Sequence, residues 1–204
     1  KGLEYEIFEV PRAEVAKFAH VSPSGKFPAI DHEGTAVLDS TDILRYLDEK
    51  FPDQPLIPRD PKEASFAHIL EDWADESLYF YEMTMRIAWP HNNAAVIEEF
   101  VKSMPGITPE QARPLIEKAV GDVVSAQGLG RKPQEMVVQD CERHFQAIDN
   151  LLAVSPWLVG NNVSIADLAV ASQLNALLYA TEAQAALSNS TRIADWLDRL
   201  DYIA

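Results

Sequence analysis

Four prolines fall within ten residues, at Pro52, Pro55, Pro58 and Pro61. Each fixes its own φ and lacks a backbone donor, so the stretch forms neither helix interior nor central strand. It reads as a stiff linker at 52–61 dividing a first domain, 1–51, from a second, 62–204. The periodicity of apolar residues changes across it. Before the linker the period shifts every few residues, and after it nearly everything is helical. The pattern predicts a small α/β domain followed by a larger all-helical bundle.

In the first part, Leu3, Tyr5 and Ile7 alternate with Glu4 and Glu6, the two-residue period of a strand with one buried face. Arg12 to Ala19 is a short, weak helical stretch. Lys26–Asp31 and Thr35–Leu38 read as strands joined by His32-Glu33-Gly34, where the glycine supplies a positive φ. After Asp39-Ser40-Thr41-Asp42 the period turns helical through Ile43, Leu47 and Phe51. Beyond the linker, one long helix is expected over Lys62–Trp89, another over Met136–Ala153 and a third over Thr191–Ile203. Thr108-Pro109-Glu110 reads as an N-cap with proline at the first helical position, opening a helix to about Gln127. Gly128 to Pro133 reads as an exposed loop.

The balance of 17 basic against 32 acidic residues gives a formal charge of −15, which argues against nucleic acid and anionic membrane as partners. The longest mostly apolar run, Ile165–Ala180, is interrupted by Asp167, Ser172, Gln173 and Asn175 and falls short of a membrane span of about 20 residues. A lone cysteine, Cys141, excludes an internal disulfide and fits a reducing compartment, so a cytoplasmic location is expected. Its helical phase puts it on an apolar stripe with Val137 and Phe145, where a thiol is inert. The histidines His20, His32, His68, His91 and His144 have no partner at ligand spacing, so no metal is expected.

Three motifs carry more information. Ser164-Ile165-Ala166-Asp167 is a capping box, with Val163 and Leu168 placed for a hydrophobic staple, and it opens a helix apolar on nearly every side. It follows Trp157-Leu158-Val159-Gly160, and the whole stretch resembles the signature in the helical domain of glutathione S-transferases. Ser22-Pro23-Ser24-Gly25-Lys26-Phe27-Pro28-Ala29-Ile30 resembles the proline loop of the same superfamily, in which the second proline, here Pro28, follows a cis bond. Leu38-Asp39-Ser40-Thr41-Asp42-Ile43 with Tyr46-Leu47 resembles its glutathione-binding turn, Asp39 standing where Glu or Gln is usual. Taken alone, the loop is equally a plain turn before an edge strand. Asp39 or Ser40 alone is more simply a helix cap. The motifs occur in the family's order over residues 1 to about 60 and about 136 to 204, with a weak match between 90 and 135.

The resemblance implies a thioredoxin-like first domain and reduced glutathione as co-substrate. Glutathione would pair with the backbone of Phe27 beside Pro28, with its glycyl end near Lys26 and its γ-glutamyl end at Asp39 and Ser40. A carboxylate suits the free amides of a helix N-terminus, and Asp39 suits the ligand's α-ammonium. The long helix would line the pocket for a second, electrophilic substrate through Tyr81, Met85, Trp89 and the following His91. A homodimer is implied as well. The chain opens at Lys1-Gly2-Leu3-Glu4-Tyr5-Glu6, which resembles the end of the family's first helix and its second strand. The first domain is thus expected to be incomplete, with the catalytic Tyr, Ser or Cys and roughly 20 to 30 further residues upstream of Lys1. The expected activity is conjugation or transformation of a small electrophile. The alternative is a non-catalytic relative that uses the fold for protein binding or assembly.

Overall fold

The computed structural model describes residues 1–203, with the side chains of Ala13, Tyr202 and Ile203 left aside. A 3-10 helix, Arg12–Phe18, precedes the hairpin of β1 (Ala29–His32) and β2 (Thr35–Leu38), and α1 (Ser40–Lys50) follows directly. The hairpin is antiparallel, with Ala29 opposite Leu38 and His32 opposite Thr35. Its turn places Glu33 at φ 53° and Gly34 at φ 83°. Two consecutive positive φ values match the twist of the flanking strands. The Gly34 amide also donates to Asp31 Oδ1 at 2.8 Å.

The alternating segment Leu3–Ile7 joins no ladder, and among the described residues the sheet has two strands, β1 and β2. Period-two patterning makes a strand only where a neighbouring edge offers hydrogen bonds. Residues 2–10 instead flank a groove of about 1000 Å³ whose other walls include Phe18, Phe27, Ile30 and Leu47. Tyr5, Ile7 and Phe8 stand 77%, 74% and 71% exposed beside it. The start of the chain is nevertheless pinned. Lys1 Nζ lies 2.8 Å from Asp48 Oδ1 and donates to the carbonyls of Phe51 and Gln54 at 2.8 and 3.1 Å. Asp48 in turn accepts from the Leu56 and Ile57 amides at 2.6 and 3.3 Å, fastening the end of α1 to the proline stretch.

Past the prolines, α2 (Pro61–Trp73) starts with Pro61 at its first position, and Asp60 accepts from the Lys62 and Glu63 amides, both at 3.0 Å. The helical path continues as expected to Ala88, but it widens twice into π turns, at Ala74–Leu78 and Met83–Ala88, on either side of α3 (Tyr79–Glu82). Such turns misalign backbone carbonyls, and side chains beyond the helix end take up two of them. Asn92 Nδ2 donates to Met85 O at 2.9 Å and Asn93 Nδ2 to Ile87 O at 3.2 Å. Then come α4 (Ala94–Ser103), α5 (Pro109–Gln127), α6 (Gln134–Leu152), α7 (Ile165–Leu177), α8 (Thr181–Leu187) and α9 (Thr191–Ile203). The Gly128–Pro133 stretch is the exposed connection expected over residues 130–133, with one departure at Leu129. It winds as a 3-10 turn, Leu129–Arg131, that buries Leu129, because a leucine there gains more from the core than the turn loses.

The core centres on α7, which packs against α2, both π turns, α3 and α9 and buries Ile165, Ala166, Val170, Leu174 and Leu177. Cys141 lies inside the same core with Val137 and Phe145. At the N-terminus of α7, fully buried Asp167 accepts from the amides of Leu158 and Ser164, the Ser164 hydroxyl and Trp196 Nε1, at 2.9, 2.9, 2.9 and 3.0 Å. One carboxylate therefore joins the loop before α7, the helix itself and α9.

Candidate functional site

The register of the hairpin decides what meets at the site. Because Ala29 pairs with Leu38, the residues just before β1 and just after β2 come to the same end of the sheet. These are Lys26, Phe27 and Pro28 on one side and Asp39 and Ser40 on the other, all solvent-exposed. The Phe27–Pro28 bond is cis. The loop leading into it is held by Ser22, which is buried. Its hydroxyl donates to the Lys26 carbonyl at 2.6 Å, and its own carbonyl accepts from the Gly25 amide at 3.1 Å. Gly25 sits at φ +69°, and a Cβ there would lie 3.1 Å from Val15 Cγ1, so both backbone and space select glycine.

Asp39 is the N-cap of α1, and its Oδ1 accepts from the Thr41 amide at 3.0 Å. Its own backbone lies at φ 71°, unusual for a residue with a side chain. The Thr41 hydroxyl donates to Glu71 Oε1 on α2, across to the helical domain. Glu71 is buried, and His68 Nδ1 lies 3.6 Å from its other oxygen. Asp75, just beyond it, has its carboxyl pushed upward by burial, then by Glu71, with smaller contributions from Asp39 and Glu76, against a lowering hydrogen bond from Gln173. The Asp39–Ser40 turn thus faces a carboxylate-rich face of the helical domain. That face is complementary to a cationic group.

The residues expected to line a second pocket are placed differently from one another. Tyr81, Met85 and Trp89 belong to the helical core, at 7%, 0% and 7% exposure. Tyr81 stands edge-on to His144 at 4.9 Å. Burial, then Arg143 and Lys132, pushes the imidazole of His144 below its usual range. Trp89 also lines a surface groove of about 450 Å³ with Gln134, Val138 and Glu182. His91 is exposed, stacks on Trp89 at 5.8 Å and meets Glu182 Oε1 through Nε2 at 2.7 Å. Further along the same helical path Tyr79 is 40% exposed, and its hydroxyl is raised by burial and by Glu82. The cation of Arg86 lies over the Tyr179 ring at 4.8 Å. From the first domain, Arg12 reaches over the ring of Phe100 on α4 at 5.5 Å, so the segment between 90 and 135 touches the first domain as well. The thiol of Cys141 is pushed up to about 12 by burial and then by Glu142. No cluster of three or more His, Cys, Asp or Glu side chains suited to a metal ion occurs among the described residues.

Sequence reasoning missed Ser22, Thr41, Glu71, Asp75 and the Asn92–Asn93 pair. For Thr41 with Glu71, and for Asn92 with Glu182, the partner lies 30 and 90 positions away, and no local spacing announces it; Ser22, by contrast, acts on Lys26 within its own loop.

Comparison with known proteins fits this geometry. The glutathione S-transferase N-terminal domain model matches residues 1–55, and the C-terminal domain model matches residues 126–203. Together the two matches span well over half of the chain, and the protein belongs to the glutathione S-transferase superfamily. Among its relatives, Protein LigF of Sphingobium sp. strain SYK-6 is 27% identical over 182 residues, covering 82% of this chain and 67% of that protein. The isoprene-epoxide–glutathione S-transferase of Rhodococcus sp. strain AD45 is 27% identical over 171 residues, covering 82% and 71%. The crystal structure of the beta-etherase LigF superposes with a TM-score of 0.61 at 23% identity, covering 91% of this chain and 77% of that one, a likeness of fold. Among the described residues no helix is long and apolar enough to cross a membrane.

Proposed function

We propose that this protein binds reduced glutathione where the proline loop meets the Asp39–Ser40 turn and transfers it to a small electrophile. The observation that carries the reading is the register of the hairpin, which sets Phe27–Pro28 beside Asp39–Ser40. The backbone of Phe27 pairs with the peptide of glutathione as an added strand, Lys26 neutralises the glycyl carboxylate, and the amides opening α1 at Ser40 receive the γ-glutamyl carboxylate. Its α-ammonium faces Asp39. The acidic face of the helical domain behind that turn favours the same ammonium, while the amides opening α1 hold the carboxylate.

The chemistry is nucleophilic. A free thiol with a pKa near 8.5 is only a few per cent thiolate at pH 7, so a site that stabilises the anion accelerates attack. Cys141 takes no part, since burial keeps its own thiol protonated. The names of the two relatives point to carbon bound to an ether or epoxide oxygen as the electrophile. The thiolate forms a C–S bond, the C–O bond breaks, and the departing oxygen takes up a proton. On the helical side Asp75 lies near enough to sense Asp39, while Tyr81, Met85 and Trp89 support the helical core behind it. A homodimer and a cytoplasmic location complete the proposal.

The test is turnover. The full natural protein is incubated with glutathione and a panel of aryl ethers and epoxides, and thioether product is followed by mass spectrometry. Enzyme-dependent product that the Asp39→Ala/Ser40→Ala double variant greatly slows supports the reading. Glutathione binding without turnover on any such electrophile moves the assignment to the non-catalytic alternative.

A further inference from the structure

We propose that Glu71 is a positioning residue for the glutathione-binding turn, acting through the hydroxyl of Thr41 across the boundary between the two domains. The proposal rests on the reading of Asp39 and Ser40 given above. Glu71 is a carboxylate 2% exposed on α2, within the helical domain. Taking a carboxylate out of water is unfavourable unless close partners compensate. Its contacts are the Thr41 hydroxyl on Oε1 and His68 Nδ1 at 3.6 Å from Oε2, the latter on a half-exposed ring. A hydroxyl is a modest partner for a buried charge. An apolar residue at this position would serve packing better, so stability alone does not account for Glu71.

The turn, on the other hand, needs an external tie. Asp39 sits at φ 71° and ψ 132°, a conformation that a residue with a side chain keeps only where its surroundings over-determine it. Thr41 is the residue through which that happens. Its amide donates to Asp39 Oδ1 at 3.0 Å, and its hydroxyl donates to Glu71. Backbone and side chain of one residue are therefore clamped from two sides, one local and one 30 positions distant. The first turn of α1, whose free amides are the proposed carboxylate receptor, is registered against the rigid α2–α7 packing rather than against the two-stranded hairpin alone. The electrostatics agree with this placement, since the Asp75 carboxyl senses both Glu71 and Asp39.

The experiment uses the full natural protein and three variants, Thr41→Val, Glu71→Leu and Glu71→Gln. Two quantities are read, the KM for glutathione against kcat with one fixed electrophile, and hydrogen–deuterium exchange of the amides of residues 41–43. Thr41→Val and Glu71→Leu are expected to raise the KM about 10-fold, leave kcat within about 3-fold, and speed exchange of those amides. Glu71→Gln keeps an oxygen that accepts from Thr41 and is expected to stay within about 3-fold of wild type in KM, with slow exchange. Unchanged KM and exchange in Thr41→Val overturn the proposal. A Glu71→Gln protein as impaired as Glu71→Leu also overturns it, because the buried charge rather than the bond would then be what matters. If the wild-type protein shows no glutathione turnover or binding, the glutathione reading fails, and exchange alone decides whether Glu71 holds the turn. Should Glu71→Leu not fold, Thr41→Val, which removes only the hydroxyl, carries the same test.

Discussion

Replacing Asp167 by alanine removes the acceptor of four hydrogen bonds at once, from Leu158 N, Ser164 N, Ser164 Oγ and Trp196 Nε1. The hydroxyl can rotate toward another acceptor, but the two amides and the indole N–H cannot. Three orphaned buried donors at about 1–3 kcal/mol each set a gross loss of about 3–9 kcal/mol. Relief of the carboxylate's own desolvation, which pushes its pKa upward, offsets part of that. The net expectation is about 3–5 kcal/mol, the usual range for breaking a buried charged network. Against a total stability of about 5–15 kcal/mol this is a large fraction, and it lowers Tm by roughly 6–20 °C for a chain of this size. Asp167→Asn keeps one carbonyl oxygen for Leu158 and Trp196 but turns an NH2 group toward the Ser164 amide, so it is expected to lose about 2–3 kcal/mol. Trp196→Phe removes one bond and is expected to rank below both. Urea unfolding followed by circular dichroism measures all three. An Asp167→Ala protein that loses less than about 1 kcal/mol at unchanged m-value would refute the claim that this carboxylate ties the centre of the bundle together.

Two further predictions concern titration. Burial pushes the Cys141 thiol up to about 12, so this residue is expected to resist a disulfide reagent near pH 8 in the folded protein and to be labelled once urea unfolds it, as read by peptide mapping; fast labelling of Cys141 in the native protein contradicts this burial. His144, held below the ordinary 6.5 by burial and its cationic neighbours, binds fewer protons folded than unfolded. Its contribution is complete above the unfolded pKa and lost as pH falls through the folded one. Wild type should therefore lose more Tm than His144→Gln between about pH 7.5 and about pH 5, and parallel profiles contradict the sign.

What the sequence makes legible is what local chemistry controls. The Ser164–Asp167 box, the Thr108–Pro109 opening, the Thr35–Leu38 strand and the apolar phase of Cys141 depend on neighbours within a few positions, and the structure has each. Asp39 as a helix cap is equally local. The Leu3–Ile7 segment shows the limit, because alternation specifies a face and not a partner edge. The π turns of the long helix are illegible for a related reason. The second turn has carbonyls met by Asn92 and Asn93 and packs on α5, and the first packs on α7, none of which a local pattern encodes. The site divides in the same way. The proline loop and the Asp-Ser turn are readable as motifs. Their meeting depends on the strand register, and the link from Thr41 to Glu71 depends on how two domains dock.

The most direct test of the account is the binding of glutathione itself, by titration calorimetry on the full natural protein and on the Asp39→Ala/Ser40→Ala double variant. Wild type is expected to bind one glutathione per chain, and the double variant to bind at least about 30-fold more weakly, the loss of two charge-assisted contacts at a partly exposed site. Equal affinity in the two proteins would contradict the assignment of this turn as the glutathione site.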